Sequence, residues 1–515
     1  MQATVRRRRM PGQVLVLMTA ALLLFISFSA LALDAGYLIA ARRAAQNAAD
    51  AAALAGARAL LDGQGQGGAQ VAAATYADKN VFGGIKWSTP SSPGQFRVEF
   101  PTPNTDPLCV APAGLQSPNP ACVKVQITKV PIPSFFLQVV YTGEWAVSAT
   151  ATARIATSPQ PYALLALDQI VTDPGVYFNG NTKIIIKGGG ARSNAGITSN
   201  GNVTFQADGC IVASGGINQS GTWTSPCVIG NYGAQVSDPL AGITPPPVPA
   251  QPTTVWQSDC SKYQGPGTCY QVPGCNRSGR CTIPSGTILQ PGYCSNLTLT
   301  LNDSVTFAPG TYYFDNCQLT VSGQNVSFGQ QTPNPAPNQL STFYFANNSS
   351  LQVQSTVVSF YNSLVYVGAN SSLALGNTNS GIAAKGVMIY VNGSNALFDP
   401  KNGTLHIEAF QPDPSRGLVL YQNEPNLPIA VWIANGSTFD AQGNGEFFIQ
   451  GIFYAPGSTV SMHGNPVGES QCGNQTCAVY GQIIAKDVSI KGTSDFLINY
   501  NSSATIPELL IQLIH

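Results

Sequence analysis

Charge is what this sequence has least of. Only 9% of its 515 residues are Asp, Glu, Lys or Arg, and 24 acidic side chains balance 24 basic ones. An ordinary soluble protein carries about 25%. A neutral, sparsely charged chain offers no field to gather nucleic acid, so nucleic acid is excluded as a partner; the basic residues that do cluster are Arg6, Arg7, Arg8 and Arg9. Histidine is scarcer still, with three in the chain. Cys260, Cys269, Cys275 and Cys281 lack the paired CxxC knuckles of structural zinc, and no metal or cofactor site is expected. G-x-S-x-G, P-loop and HExxH patterns are absent. Gly188-Gly-Gly190 has neither GxGxxG spacing nor a following helix and reads as a turn.

What is present is 52 Gly, 37 Pro and abundant Asn, Ser and Thr, in a chain too long for one ordinary globule. The surface must be polar yet uncharged. All twelve cysteines follow the N-terminal apolar stretch: Cys109, Cys122, Cys210, Cys227, Cys260, Cys269, Cys275, Cys281, Cys294, Cys317, Cys472 and Cys477. An even number confined to that region points to disulfides and an oxidising compartment. Cys109/Cys122, Cys210/Cys227 and Cys472/Cys477 would each close a small loop, although spacing alone does not fix the pairing.

Residues 14–33 are interrupted only by Thr19, Ser27 and Ser29, and at about 1.5 Å per residue they suffice to cross roughly 30 Å of hydrocarbon. The four arginines precede this stretch, so the positive-inside rule puts residues 1–12 in the cytoplasm, 13–33 in the membrane and the bulk outside. A cleaved signal peptide is the alternative, but its apolar core is usually shorter and ends at a small-residue site. Helix propensity continues to Leu61, for a helix of roughly 70 Å. Ala45, Ala49, Ala52, Ala53 and Gly56 form a small-residue face, suited either to another helix or to the chain's own domain.

Within this stretch Pro11-Gly-Gln-Val-Leu-Val-Leu, Ala32-Leu-Asp-Ala-Gly-Tyr, Ala41-Arg-Arg and Gln46-Asn-Ala-Ala-Asp-Ala-Ala-Ala-Leu-Ala-Gly follow one another in order. The run resembles the N-terminal signature of TadG-like proteins of the Tad/Flp pilus-assembly system, with Gly12, Gln13, Asp34, Gly36, Arg42, Gln46, Asn47 and Asp50 as the motif positions. The resemblance implies a single-pass protein of the bacterial cytoplasmic membrane with Tad pilus-assembly proteins as partners. Processing as a major pilin after Gly12 is disfavoured, because Leu17 stands where such sites carry Glu.

Residues 34–156 read as a small α+β unit. After a Gly-rich break at 63–68, an Ala-rich helix over 69–80 precedes strands at 96–100, 123–127 and 145–154, with a short helix over 133–141. A similar strand and helix order follows the anchor in TadE-like and TadG-like proteins. Beyond it helix signals nearly vanish, and the expected class is mainly β: a right-handed parallel β-helix-like solenoid, with a β-sandwich as the alternative. Gly180-Asn-Thr-Lys-Ile recurs at Gly201 and Cys294-Ser-Asn-Leu-Thr at Cys317. Gly386, Gly417, Gly451 and Gly481 each open an apolar run, and the last two units align if two residues are inserted in the first turn. The expected parts are a first solenoid portion at 157–250 ending in the Pro-rich run from Asp238, a Cys-rich excursion at 251–293, a second solenoid portion at 294–503 and a cap or tail at 504–515. Pro161-Tyr-Ala-Leu-Leu-Ala-Leu-Asp168 and Asp238-Pro-Leu resemble elements of other TadG-like exported regions.

A β-helix invites a polysaccharide-active enzyme, which needs paired carboxyl groups. Asp399, Glu408, Asp413, Asp440, Glu446, Asp487 and Asp495 form no Asp-Asp or Asn-x-Asp cluster, and a lyase base such as Lys385 or Arg416 would need a calcium held by several acids, which neither has for company. His406 reads as an outward strand residue and His463 as a turn residue. The Asn-x-Ser/Thr triplets at Asn202, Asn296, Asn325, Asn370, Asn392 and Asn435 read as turns. The expectation is a non-enzymatic, membrane-anchored component or accessory of Tad/Flp pilus assembly, exposing a solenoid for envelope or surface contacts, surface carbohydrate among them. A free-standing adhesin is the alternative, and a β-helical enzyme the weaker one.

Overall fold

The computed structural model describes residues 11–88, 95–111, 120–136, 145–157, 161–233, 235–413, 416, 418–420, 428–443, 446–464, 467–468, 470–472, 475–493, 495–500 and 509–514. The chain is mainly β, with one N-terminal apolar helix and one large parallel sheet. It divides into two compact units, residues 1–158 with 509–515, and residues 159–508.

In the first unit α1 (Pro11–Leu61) runs unbroken, and α2 (Gly65–Lys79) follows after a three-residue break. The apolar half of α1 is exposed, whereas Ala45, Ala48, Ala49, Ala52 and Ala53 are fully buried in the unit's core. They share that core with an antiparallel sheet of β1 (Phe96–Glu99), β2 (Cys122–Pro131) and β3 (Ala146–Thr157). Small side chains let the helix approach closely: a Cβ on Gly56 would lie 2.9 Å from Val123 Cγ1 and 3.2 Å from the Ala69 carbonyl oxygen. The small-residue face therefore serves its own domain. The last strand, Leu509–Ile514, pairs antiparallel with β3. The tail thus completes this sheet; it does not cap the larger one. Of the helix expected over 133–141, residues 137–141 lie outside the described residues, and 133–136 are non-helical.

In the second unit three short strands make a rung, and each strand pairs in parallel with its counterpart in the next rung. One column of inward leucines, Leu299, Leu319, Leu351 and Leu373, stays in register through three pairings. All four are fully buried, because alternate residues of each strand face inward and neighbouring rungs set like against like. Phe307, Phe328 and Phe360 stack the same way, at centroid separations of 4.3 and 4.6 Å. At the turns Asn296, Asn316, Asn370 and Asn395 adopt positive φ, which Asn tolerates better than most residues. Asn316 Nδ2 donates to Asn296 Oδ1 at 2.7 Å, and Asn395 Nδ2 to Asn370 Oδ1 at 2.9 Å.

Rung order is not chain order. The first rung (Tyr162–Ala166, Pro174–Gly180, Lys183–Lys187) pairs on one side with the second rung and on the other with the last strands, Val479–Gly492 and Asp495–Asn499. From there the chain builds outward to Val228–Ile229, returns through the Pro-rich segment, and restarts at Thr254–Gln257 at the opposite end. The Cys-rich stretch is therefore the terminal part of the sheet and no excursion: Thr268–Gln271 and Arg280–Ile283 are its outermost strands in two columns. Cys260–Cys269 and Cys275–Cys281 bridge that end, and Cys210–Cys227 the other. Cys294–Cys317 links neighbouring rungs, and Cys109–Cys122 lies in the first unit.

Two sequence periods are corrected. Cys294 sits opposite Phe314, so its echo with Cys317 marks a disulfide and not a rung length. Ile389 to Val391 pair with Val431 to Ile433, so the rung after Gly386 does not open at Gly417, which lies outside the described residues. The alignment of Gly451 with Gly481 is the observed register, and the two inserted residues fall between Ala455 and Thr459.

Gly180 marks where the first and last rungs meet. Its φ is +98°, and a Cβ there would lie 2.4 Å from the Gly492 carbonyl oxygen. Gly180→Ala is expected to cost about 1–3 kcal/mol in denaturant unfolding, from left-handed strain and backbone collision. Gly216→Ala, whose Cβ meets nothing within 4 Å, serves as the neutral comparison.

Candidate functional surfaces

Asp34 is the first charged residue after the exposed apolar stretch of α1, and it is 97% buried, with 3% exposure. Its carboxylate accepts the backbone N–H of Phe135 and of Phe136, both at 3.0 Å. Charge-assisted bonds of this kind are among the stronger ones, so Asp34 fixes the loop after β2 to the helix. Three turns on, Gln46 Nε2 donates to Asp50 Oδ1 at 2.8 Å and to the Thr150 carbonyl at 3.1 Å, tying α1 to β3. Of the other motif positions Gly36, Arg42 and Asn47 are exposed, and the side chains of Gly12 and Gln13 lie outside the described residues, as do Arg6, Arg7, Arg8 and Arg9. The motif residues that make contacts thus do so as joints of the first unit.

On the second unit one outward column is aromatic. Tyr293, Tyr313, Tyr344, Tyr366, Tyr390, Trp432 and Tyr454 occupy successive rungs, with centroid separations of 4.7 to 5.7 Å. Outward residues should be wet, yet Tyr344 to Tyr454 in this column are buried. The start of the Pro-rich segment lies against them. Val236 exchanges two hydrogen bonds with the Asn194 side chain, 2.6 and 2.7 Å long, and Leu240, Val236 and Ile243 pack on the column. Tyr454 Oη donates to Asp238 Oδ2 at 2.6 Å. Burial raises the Asp238 pKa, partly offset by the Tyr454 hydroxyl and the Leu240 N–H. This explains Asp238-Pro-Leu in physical terms: the acid anchors, the proline sits in the turn closed by Ala241 N–H on the Asp238 carbonyl, and the leucine packs.

A cleft of about 690 Å³ opens beside Tyr361, Asn362, Lys385, Glu408, Asp413, Arg416 and Gln450. Its charges are paired. Glu408 Oε1 lies 3.0 Å from His406 Nε2 and 3.6 Å from Lys385 Nζ, and Arg416 Nε lies 4.0 Å from Asp413 Oδ2. Lys385 and Arg416 each face one acid, brought by strand pairing and by a tight turn, and not the several acids a calcium would need. The His406 hydrogen bond first, and Lys385 after it, hold the Glu408 carboxyl below its ordinary value, which suits a fixed ion more than a general acid. Ser461 Oγ lies 2.5 Å from His463 Nε2, with Asp440 Oδ1 3.6 Å from that same nitrogen. A relay needs the acid on the other ring nitrogen, so the trio lacks triad geometry. His463 belongs to strand Glu446–Gly464 and not to a turn. Asp399 pairs with Lys401, Asp487 with Lys486 and Asp495 with Lys183, while Glu446 is exposed. Among the described residues no group of three or more His, Cys, Asp or Glu could hold a metal. Cys472 and Cys477 lie in a hairpin of Ser470–Cys472 with Gln475–Cys477 whose side chains are outside the described residues. The buried column and the Asp34 joint carried no sequence signal beyond Asp238-Pro-Leu and the N-terminal motif.

Residues 12–59 match the family model described as "Putative Flp pilus-assembly TadE/G-like". No curated protein and no solved structure matches the chain. The matched segment is α1 almost to its end, and it contains both joints to the first unit, Asp34 and Gln46.

The Asp238 shift has a definite sign. Because its folded pKa is raised above the unfolded value of about 3.9, its contribution to docking is full below that value and is lost as pH rises through the folded value. Amide-exchange protection at Leu240, corrected for intrinsic rates, should therefore fall across that interval in the unaltered chain. In Asp238→Asn it should be independent of pH there.

Proposed function

We propose that this chain is a membrane-tethered, non-catalytic component or accessory of Tad/Flp pilus assembly. The observation that carries the proposal is a coincidence of boundaries. The family match covers the helix whose first half is apolar, long enough to span a bilayer and covered by no protein, and whose second half is built into a folded unit. The exposed apolar half and the core-forming half are one unbroken helix, Pro11–Leu61. On this reading the arginines before the helix keep the N-terminus in the cytoplasm, and both folded units lie outside it. The parallel rungs form a right-handed β-helix-like solenoid, and its uncharged, Asn-rich turns meet the envelope or a neighbouring surface. Disulfides at both sheet ends accord with an oxidising location.

The cleft favours a second reading, that of an adhesin for surface carbohydrate, since polar side chains beside Tyr361 suit a neutral sugar. The two readings separate in a cell that carries the Tad secretion machinery. Deleting residues 11–33 should move the protein out of the membrane fraction, and deleting the gene should abolish pili under the first reading and leave them intact under the second. External protease on spheroplasts should digest the second unit and spare the N-terminus; a protected, cytoplasmic second unit would overturn the topology.

A further inference from the structure

We propose that the loop after β2 is a second membrane contact, with Phe135 and Phe136 lying in the bilayer interface beside the point where α1 leaves it. The inference rests on the membrane reading of α1 and adds to it a site on a different part of the chain.

A single helix can tilt and rotate freely unless something else touches the lipid. The apolar stretch ends at Leu33, and the next residue, Asp34, grips the Phe135 and Phe136 amides. Those two residues are thereby held within a side chain's length of the last membrane residue. Their rings are nonetheless 54% and 48% exposed. Tyr37, about 4.5 Å further along the helix axis, sets the height of a second loop. Its ring lies 5.2 Å from that of Phe135 and 5.0 Å from that of Phe82, and Val81 beside Phe82 is 53% exposed.

The two segments beside the joint carry no charge: one reads Ile132-Pro-Ser-Phe-Phe136, at the start of the loop after β2, and the other Val81-Phe-Gly-Gly-Ile85. In water such side chains would be an unfavourable apolar patch, whereas the interface accommodates aromatic rings at its polar boundary. Continuity with the exposed apolar helix makes lipid the occupant, because a bilayer that surrounds residues 14–33 must end at the level of these rings. Asp34 also fits the boundary. It is buried by protein and its carboxylate oxygens each accept a backbone N–H, so the charge it brings is shielded from the lipid surface.

Three tryptophan variants of the full chain test this in phosphatidylcholine vesicles whose acyl chains carry bromine, a short-range quencher. Leu23→Trp reports the span, Phe136→Trp the loop, and Val71→Trp an exposed site on α2, between Ala69 and Ala73, which lie against Gly56 in the far half of α1. Each is read as the emission change relative to the unaltered chain, and Phe135→Trp repeats the measurement should Phe136→Trp not fold. The expected result is a blue shift and loss of emission for Leu23→Trp and Phe136→Trp, with Val71→Trp unchanged. Quenching of Leu23→Trp without quenching of Phe136→Trp would overturn the loop contact and leave the anchor standing. Failure of both would overturn the anchor together with the loop.

Discussion

Everything in the second unit follows from one demand, that each parallel rung needs another on either side to satisfy its backbone groups. A strand with one free edge presents unpaired N–H and C=O groups that recruit other chains. The chain meets the demand at its first rung by returning its last strands to that rung's open side. The rung where the unit begins is thus interior, and the two free edges fall elsewhere in the sequence, at Val228–Ile229 and Thr268–Gln271. Both edges adjoin disulfide-bonded loops. Covalent closure restrains local opening where pairing is incomplete, which is where a repetitive structure would otherwise fray.

The same arrangement accounts for the Pro-rich segment. The chain must travel from near Asn194 to Thr254, a distance of about ten strand spacings, or roughly 48 Å at about 4.8 Å each. The eighteen residue steps from Val236 to Thr254 would cover about 56 Å if wholly in polyproline conformation, and the turns at 239–242 take up part of the excess. Proline suits such a traverse because it extends without asking for backbone partners. The route also gives the aromatic column its cover, so an apolar outward column and a proline-rich connection are two parts of one solution.

Low charge is a further consequence. Stacking sets each outward side chain about 4.8 Å from its counterparts, so a repeated charge would meet its like on both sides. Asn, Ser and Thr donate and accept and can repeat without that penalty, as the turn asparagines do. Some of the charges that do occur pair across rungs. Lys183 faces Asp495 and Lys385 faces Glu408 in direct register, with separations of 3.3 and 3.6 Å. This decides what was legible in the sequence. Composition, strand content and local periods follow from contacts between adjacent rungs, so Gly451 with Gly481, and Gly180 with Gly201, were visible as repeats. The return of the last rung to the first joins Ile483 to Leu164, more than three hundred residues apart, through small and aliphatic residues that any rung uses. Such a contact leaves no local pattern. The C-terminal strand was hidden for the same reason, since an apolar tail fits either sheet equally well. His463 misled because Met-His-Gly-Asn has turn composition while the strand continues through it.

The first unit solves a different problem, since one helix must face two surroundings. Up to Leu33 its residues are mostly apolar and exposed on all sides; from Ala41 onward alanines turn inward to a sheet and polar residues turn out. Between them a joint is needed that holds the folded unit without a bulky core, because there the exposed apolar stretch has ended and the buried alanines have not yet begun. Asp34 supplies it with two backbone hydrogen bonds, and Gln46 with a third to β3. Short polar joints specify geometry at low volume, and this is why the N-terminal motif combines small residues with a few polar positions in place of a hydrophobic stripe. A motif of that kind encodes an attachment. Reading it as an active site would ask its carboxylates to be free, and Asp34 and Asp50 are both already hydrogen-bonded.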